Sequence, residues 1–154
     1  MLGKYFEEIE VGEKIQTPKR TITEPEMDAF VALTQIFEPN HTDREHARRL
    51  NFKDKLIPGT FTLGLLTGLE LATGHFNGRF IALLEMVRVR FPAPIYPGDT
   101  IQSEIEILEK VETKKAERGI VTISHRATNQ NGVLVAEWIR KSLYQRKPIS
   151  DQRG

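Results

Sequence analysis

The 154-residue sequence contains no cysteine. This absence excludes disulfide bonds, cysteine-ligated zinc and a thiol nucleophile, and it leaves reducing and oxidising compartments equally open. An excess of one charge is also missing, because 22 lysine and arginine residues stand against 21 acidic residues. The resulting net charge of +1 creates no strong field for nucleic acid or an anionic membrane, so we expect neither as a partner.

The sequence as given also shows no pattern of a secretory leader and no long apolar run. The amino terminus lacks a basic region followed by an apolar core, so we do not expect a signal peptide. The most apolar segment, 57–74, is too short and too rich in threonine and glycine to span a bilayer. The length suits one domain with a self-sufficient core, and we expect a cytoplasmic protein.

Helix-start signals organise the first half of the chain. Residues 23–26 combine a capping box with a proline in the first turn, which predicts a helix from there to about Gln35. Thr42 and Glu45 form a second capping box, which predicts a short helix over about 43–50. Two helices are therefore expected before the apolar segment begins.

Segment 57–74 carries a single charge, Glu70, and a helix that is apolar all round is typically a buried helix. Gly64 and Gly68, four residues apart, give this helix a flat stripe for close approach of a sheet or another helix. Gly59, after Pro58, leaves an unobstructed backbone amide at the positive end of the helix dipole. Such an amide can hold a carboxylate, a phosphate or a developing oxyanion, although a packing requirement explains the glycine equally well.

After Gly78 the apolar period changes to two, which predicts strands joined by short turns, among them a hairpin at 129–132. Consecutive strands of this kind are antiparallel neighbours with one covered face. His125 falls on the apolar side of its strand and is best interpreted as a core or interface histidine. No histidine pair has metal-ligand spacing, so we expect no metal. The chain is thus predicted to be an α+β domain whose curved antiparallel sheet wraps a long central helix.

One stretch, 34–43, places a carboxylate beside an imidazole, since Glu38 and His41 flank Pro39. Pro39 cannot continue a helix, so both groups should lie on an ordered loop between two helices. A rigid loop of this kind can aim side chains into a cleft. The alternative is that Glu38 is a solvated charge and His41 a capping or packing residue, as in most such pairs.

This order of elements, with several local motifs, resembles the MaoC-like hydratases/dehydratases of the hotdog fold. The matching residues are Tyr5-Phe6-Glu7 with Val11-Gly12, Thr21-Ile22-Thr23, Pro39 with His41 and Asp43, Ile57 with Gly59, and Phe91, Pro94 and Gly98-Asp99-Thr100. The resemblance covers about 5–144 and implies a single domain over 1–154 with a frayed tail at 146–154. It also implies a homodimer whose sheets join edge to edge, and acyl-thioester sites near that interface. Members hydrate trans-2-enoyl thioesters of coenzyme A or acyl carrier protein to (R)-3-hydroxyacyl thioesters, or run the reverse, so no cofactor is expected.

The resemblance also assigns roles to residues. In the family, an Asp and a His on an Asp-x-Asn-Pro-x-His loop move protons, and a backbone amide at the start of the central helix holds the thioester oxygen. The matching positions are His41, Pro39 and the Gly59 amide, whereas Ile36 stands at the aspartate position and Glu38 at the asparagine position. The catalytic candidates are therefore His41, Glu38 and Gly59, and the substrate-binding candidates are Pro39, Asn40, Thr60 and Pro58, which stands where the family commonly has histidine.

Three functions remain open because Ile36 cannot accept a proton. In the first, Glu38 supplies the displaced carboxylate and the chain is a hydratase. In the second, Glu38 is the base or nucleophile of a hotdog thioesterase that uses the same amide. In the third, the chain is a non-catalytic acyl-binding or structural subunit, since a fold does not fix a function.

Overall fold

One long helix packs against an antiparallel sheet in the computed structural model, which describes residues 2–148. A single 3-10 turn, Phe6–Glu8, comes first. The helices are α1 (Glu24–Thr34), α2 (Pro39–Thr42), α3 (Arg44–Arg49) and α4 (Gly59–Ala72). The strands are β1 (Lys14–Gln16), β2 (Arg20–Thr21), β3 (Phe80–Arg90), β4 (Thr100–Glu112), β5 (Arg118–Thr128) and β6 (Leu134–Gln145). The predicted α+β class and the central helix are confirmed.

The six strands run in the order β1-β4-β5-β6-β3, and β2 adds to β4. All pairs are antiparallel, and β5 and β6 are joined by the predicted hairpin, where Gly132 adopts a φ of 74°. The expectation that consecutive strands are neighbours is wrong for β3, which pairs with β6 instead of β4. The segment between β3 and β4 contains Pro92, Pro94 and Pro97, which cannot donate to a strand ladder, and it carries the chain across to the far side of the sheet.

Cap residues explain where the helices start. The predicted capping box of α1 is present, with the Thr23 amide donating to the Glu26 carboxylate at 3.0 Å. The cap of α3 is Asp43 and not the predicted Thr42, because the Asp43 carboxylate accepts the amides of Glu45 at 2.8 Å and His46 at 3.0 Å. A charged acceptor binds helix amides more strongly than a hydroxyl, so the start of α3 shifts by one residue.

The Glu38–His41 stretch is more regular than the predicted loop. Residues 39–42 form one helical turn, α2, with Pro39 at its first position, where a missing N–H costs nothing. The turn closes through the Asp43 amide, which donates to the Pro39 carbonyl at 2.7 Å. His41 therefore lies in a helical turn between α1 and α3.

Helix α4 contributes one side to the core and leaves the other open. Leu66 and Leu69 are buried against the sheet, in a cluster that includes Met27 of α1 and Trp138 of β6. The expectation that α4 is buried all round is wrong for the described chain, because Leu71 is 46% exposed. The predicted glycine stripe lies on the open side as well, since Cβ atoms built at positions 64 and 68 meet nothing within 4 Å.

A charged cluster lies inside the apolar core. Arg140 of β6 donates to the fully buried Glu70 of α4 and, at 2.9 Å, to the hydroxyl of Tyr144. His125 is buried, as predicted, with its ring stacked on Trp138 at a centroid distance of 4.3 Å. Burial raises the pKa of Glu70 to about 7 against the opposing charge of Arg140, and burial next to Arg140 lowers the pKa of His125 to about 3. The cluster therefore ties α4 to the sheet through one guanidinium–carboxylate pair beside a neutral imidazole.

Removing the Glu70 carboxylate should destabilise the fold strongly, because it leaves the Arg140 guanidinium buried without its partner. We expect Glu70→Ala to lower the free energy of unfolding by about 3–5 kcal/mol in urea titrations. Glu70→Gln keeps an acceptor and should cost less. A matched control is Glu112→Ala, which breaks an exposed pair with Arg146 and should cost no more than about 1 kcal/mol. Equal losses for Glu70→Ala and Glu112→Ala would contradict the assigned role of the buried pair.

Candidate functional site

A cavity of about 340 Å³ opens beside the amino terminus of α4. His41 from α2, and Gly59 and Thr62 from α4, all line it. The remaining lining is apolar and comprises Phe52, Leu56, Ile57, Phe91, Pro92, Ala93, Pro94, Ile95 and Val135. A single titratable side chain, an imidazole, thus faces an apolar space next to a helix start, as expected of a small-molecule site.

The His41 ring is held in one orientation by the backbone. Its Nδ1 lies 2.7 Å from the Leu56 carbonyl oxygen, and the Leu56 amide in turn donates to the Asn40 carbonyl at 2.9 Å. A carbonyl oxygen only accepts, so Nδ1 of the neutral ring carries the proton and donates it to Leu56. The Nε2 lone pair is left as the basic atom, and no group within residues 2–148 hydrogen-bonds to it.

The segment that holds His41 is itself fixed to α1. Lys55, next to Leu56 and almost fully buried, pairs with Glu24 at 2.6 Å and with Asp28 at 3.2 Å. A neighbouring pair joins Arg44 of α3 to Asp54 at 2.6 Å. These contacts place the Leu56 carbonyl rigidly, so α1 indirectly sets the orientation of the imidazole.

The amino terminus of α4 presents free backbone amides to the same space. Pro58 is the N-cap of α4. The Pro58 carbonyl accepts the Thr62 amide at 3.1 Å. The amides of the first turn, including that of Gly59, have no acceptor inside the helix and lie at its positive end. A Cβ atom on Gly59 would come within 2.8 Å of the Phe91 ring, so glycine also keeps space between helix and ring. The packing explanation of Gly59 is confirmed, whereas a role of its amide in holding a ligand stays a prediction.

The other predicted site residues do not line the cavity. Glu38 is the N-cap of α2 with an exposed side chain, and its carbonyl accepts the His41 amide at 2.8 Å. Pro39 starts α2, Asn40 supplies its carbonyl to Leu56, Pro58 caps α4, and Thr60 is exposed. The structure thus brings His41 and Gly59 together and leaves the Glu38 carboxylate outside.

Most residues of the cavity wall were not predicted from the sequence, because they come from distant parts of the chain. Phe52, the 91–95 segment and Val135 join His41 only through the fold. The one usable signal was the Phe91–Pro94 motif, which marked a rigid segment but gave no hint of its neighbours. Contacts between such distant segments depend on strand order, and β3 was misplaced by sequence reasoning.

Known sequences similar to this chain show which family it belongs to. Residues 7–129 match the sequence profile described as "MaoC like domain". The chain belongs to this family. It is 35% identical over 115 residues to Protein MaoC of Klebsiella aerogenes, covering 75% of this chain but spanning only 33% of that relative. It is 29% identical over 126 residues to an (R)-specific enoyl-CoA hydratase of Aeromonas caviae, covering 82% of this chain and 88% of that protein. Hydratases and dehydratases are thus among the members of the family to which this chain belongs.

Solved structures confirm the hotdog fold. An Archaeoglobus protein described as a monoamine oxidase regulatory protein superimposes with a TM-score of 0.88 at 33% identity, over 96% of this chain and 98% of that one. A Mycobacterium tuberculosis protein with a double hotdog fold gives a TM-score of 0.84 at 18% identity, over 96% of this chain and 46% of that one, and so shows the fold alone. The central helix and wrapped sheet predicted from the sequence are those of this fold.

Metal-binding clusters and membrane-spanning helices are both absent from the described part of the chain. Within residues 2–148, no three histidine or acidic side chains are arranged to hold a metal ion. In the same range, no helix has the length and apolar character needed to cross a membrane. The predicted frayed tail lies outside the described residues from 149 onward, whereas Arg146 pairs with Glu7 at 2.7 Å.

A methyl group at position 59 should be costly, because it forces the Phe91 ring to move. We expect Gly59→Ala to lower the free energy of unfolding by about 1–3 kcal/mol. The double variant Gly59→Ala/Phe91→Ala should show a favourable coupling energy of about 0.5 kcal/mol or more in a double-mutant cycle.

Gly64→Ala provides the matched control in the same helix. It adds the same methyl group to open space, so it should stabilise the protein by about 0.5–1 kcal/mol. If Gly59→Ala behaves like Gly64→Ala, the close approach of Phe91 does not constrain the helix start.

Proposed function

We propose that this chain catalyses the reversible hydration of trans-2-enoyl thioesters to (R)-3-hydroxyacyl thioesters. The observation that carries the proposal is the shared cavity of His41, with a free Nε2, and the Gly59 amide. The reaction needs a group to deprotonate water at the β carbon and a donor for the enolate oxygen. The relationship to an (R)-specific enoyl-CoA hydratase supports the same reaction class.

The mechanism assigns one step to each of these groups. Nε2 of His41 accepts a proton from water, and the water oxygen bonds to the β carbon of the enoyl thioester. The π electrons shift to the thioester oxygen, where the Gly59 amide and the positive end of α4 stabilise the negative charge. The proton that Nε2 took from the water is then delivered to the α carbon, directly or through a second proton-transfer group. This step collapses the enolate, returns the imidazole to its neutral form and completes the addition of one water molecule.

Glu38 is our candidate for the second proton-transfer group. It precedes His41 by three residues, and nothing in residues 2–148 forms an ion pair or hydrogen bond with its carboxylate. The side chain is exposed, so a direct role requires it to turn toward the cavity when substrate binds. The proposal therefore requires that rotation about the side-chain bonds of Glu38 brings its carboxylate toward His41 in the substrate complex.

A non-catalytic acyl-binding subunit is the second candidate. One observation favours it, namely that no carboxylate of the described chain lines the cavity. The thioesterase alternative has less support, because its only base or nucleophile is the Glu38 carboxylate, which does not line the cavity. An imidazole and an amide without a carboxylate are still sufficient to hold a thioester carbonyl.

Enzyme assays distinguish these candidates. Purified protein should consume the conjugated absorbance of a trans-2-enoyl-CoA without releasing free thiol. His41→Ala should lower kcat/KM by about 100-fold or more, since it removes the general base. Glu38→Gln should reduce turnover while leaving binding intact, because it removes a proton-transfer group and little volume.

Matched variants make the assay interpretable. His46→Ala on α3 and Glu10→Gln near the amino terminus change the same residue types away from the cavity and should retain full activity. Full activity of Glu38→Gln would eliminate the carboxylate from the mechanism. Thiol release from saturated acyl-CoA would indicate a thioesterase, and stabilisation by acyl-CoA without turnover would support the binding subunit.

We also propose that the chain forms a single domain and works as a homodimer joined through β3. This strand lies at one end of the sheet, is 11 residues long and exposes several large apolar side chains, namely Phe80, Ile81, Leu83, Leu84 and Val89. A long apolar edge strand invites pairing with another strand. Two copies of β3 in antiparallel register would join both sheets and cover these side chains.

Replacing an apolar side chain of β3 by a charge should separate the subunits. We expect the wild-type protein to sediment at twice the 17.6 kDa of one chain, and Leu83→Lys to shift the population toward monomer. Leu33→Lys on α1 is the control, because Leu33 is even more exposed, at 84%, but lies off the sheet edge. A wild-type protein that stays monomeric at assay concentrations would refute the dimer.

A further inference from the structure

The carbonyl that orients His41 belongs to a segment without regular secondary structure. Residues 55–58, between α3 and α4, form neither helix nor strand. The Leu56 amide donates to the Asn40 carbonyl, but Asn40 and His41 lie in α2, a single turn without a side-chain cap. One turn is too short to be a rigid reference on its own. Leu56 therefore needs a contact to a longer element to stay in place.

Lys55, the residue before Leu56, supplies that contact because it is held at both of its ends. Its backbone amide donates to Asp54 Oδ1 at 2.7 Å, and the same oxygen accepts Nε of Arg44 at 2.6 Å. Its ammonium pairs with Glu24 at 2.6 Å and with Asp28 at 3.2 Å, both on the 11-residue helix α1. Arg44 also reaches Glu24, at 3.4 Å, so the contacts form a closed ring through α1 and α3.

Burial sets Lys55 apart from the other lysines of residues 2–148. It is 7% exposed, and a buried lysine is rare unless its ammonium is paired. Burial lowers the pKa of Lys55, but hydrogen bonds to Glu24 and Asp28 outweigh this effect and hold the pKa above its ordinary value, so the ammonium stays charged. The two carboxylate side chains are 40% and 57% exposed. Replacing Lys55 therefore leaves no buried charge without a partner, and the fold should tolerate the change.

We propose that Lys55 is a positioning residue that selects the Nδ1–H form of the His41 imidazole. The inference rests on the proposed function, in which the Nε2 lone pair of His41 removes a proton from water. Neutral histidine in water favours the opposite form, whose Nε2 carries the proton and cannot accept another. By fixing the Leu56 carbonyl at 2.7 Å from Nδ1, Lys55 holds the proton on Nδ1 and keeps the Nε2 lone pair available.

A backbone carbonyl makes this arrangement sensitive to the position of the segment. A carboxylate that orients an imidazole is charged, so it binds the ring N–H more strongly than a carbonyl, and its side chain can rotate to follow the ring. The Leu56 carbonyl is neutral and moves only with its backbone. A displacement of about 1 Å would lengthen the contact beyond hydrogen-bonding distance. An anchor on the neighbouring residue thus controls a proton position in the cavity.

NMR of the imidazole nitrogens tests the inference without catalysis. At a pH where the ring is neutral, His41 of the wild-type protein should report the Nδ1–H form, its signals being identified by their loss in His41→Asn. Lys55→Met keeps the length and the apolar stem but removes the ammonium, and it should raise the fraction of the Nε2–H form several-fold. Lys55→Arg restores the charge and should return the signals toward wild type. An unchanged His41 form in Lys55→Met would overturn the proposal.

Two further variants complete this test. Lys53→Met removes an exposed lysine from the same connection and should leave the His41 signals as in wild type. Glu24→Gln/Asp28→Asn removes the charges of the partners without touching Lys55 and should produce the same change as Lys55→Met. If Lys55→Met fails to fold, this double variant decides, and wild-type His41 signals in it would contradict the role of the ammonium.

Kinetics separate this inference from the proposed hydration. With trans-2-butenoyl-CoA, Lys55→Met should lower kcat about fivefold or more at nearly unchanged KM, because the base is disturbed while the cavity wall stays intact. Lys55→Arg should recover most of the loss, and equal losses in both variants would overturn the proposal in favour of a general packing role. No turnover by wild type would refute the hydratase, and the NMR signals would still decide whether Lys55 selects the imidazole form. A changed form at full kcat would overturn the catalytic part of the proposal.

Discussion

The burial of one side of α4 against the sheet is the constraint on which the rest of the structure depends. Leu66 and Leu69 remove the helix from water, and the Glu70–Arg140 pair prevents it from sliding, because any shift would leave a buried charge unpaired. Fixing the helix also fixes its first residue, Gly59. The same packing that stabilises the domain therefore determines where the free amides of α4 point.

Local signals were predictable from the sequence, and long-range placements were not. The Thr23 capping box, the 129–132 hairpin and the core position of His125 depend on near neighbours and strand alternation, which the sequence contains. The position of β3 beside β6 depends on the path of the proline-rich connection that follows it. The spacing of apolar residues in the sequence does not predict that path. The true cap of α3, Asp43, lay one residue from the expected Thr42, because two adjacent acceptors compete for the same amides.

The candidate site divides in the same way. His41 and Gly59 stand out as residue types, so sequence reasoning could propose them, and the structure places both on one cavity. The Leu56 carbonyl that fixes the imidazole could not be proposed, because a backbone atom has no signature in the sequence. For Glu38 the sequence identified a suitable residue type but not the direction of its side chain. Because that side chain is exposed, a Glu38–His41 pair would form only after the Glu38 side chain rotates.

The composition of the His41 cavity has a consequence for how the protein folds. Its wall joins His41, the start of α4, the 91–95 segment and Val135, which are separated by up to 94 residues of chain between the first and the last. Contacts of such long range form late, since the loops between them must close first. The cavity is therefore a product of the finished fold, and a molecule bound there would slow unfolding of the whole domain instead of protecting one segment.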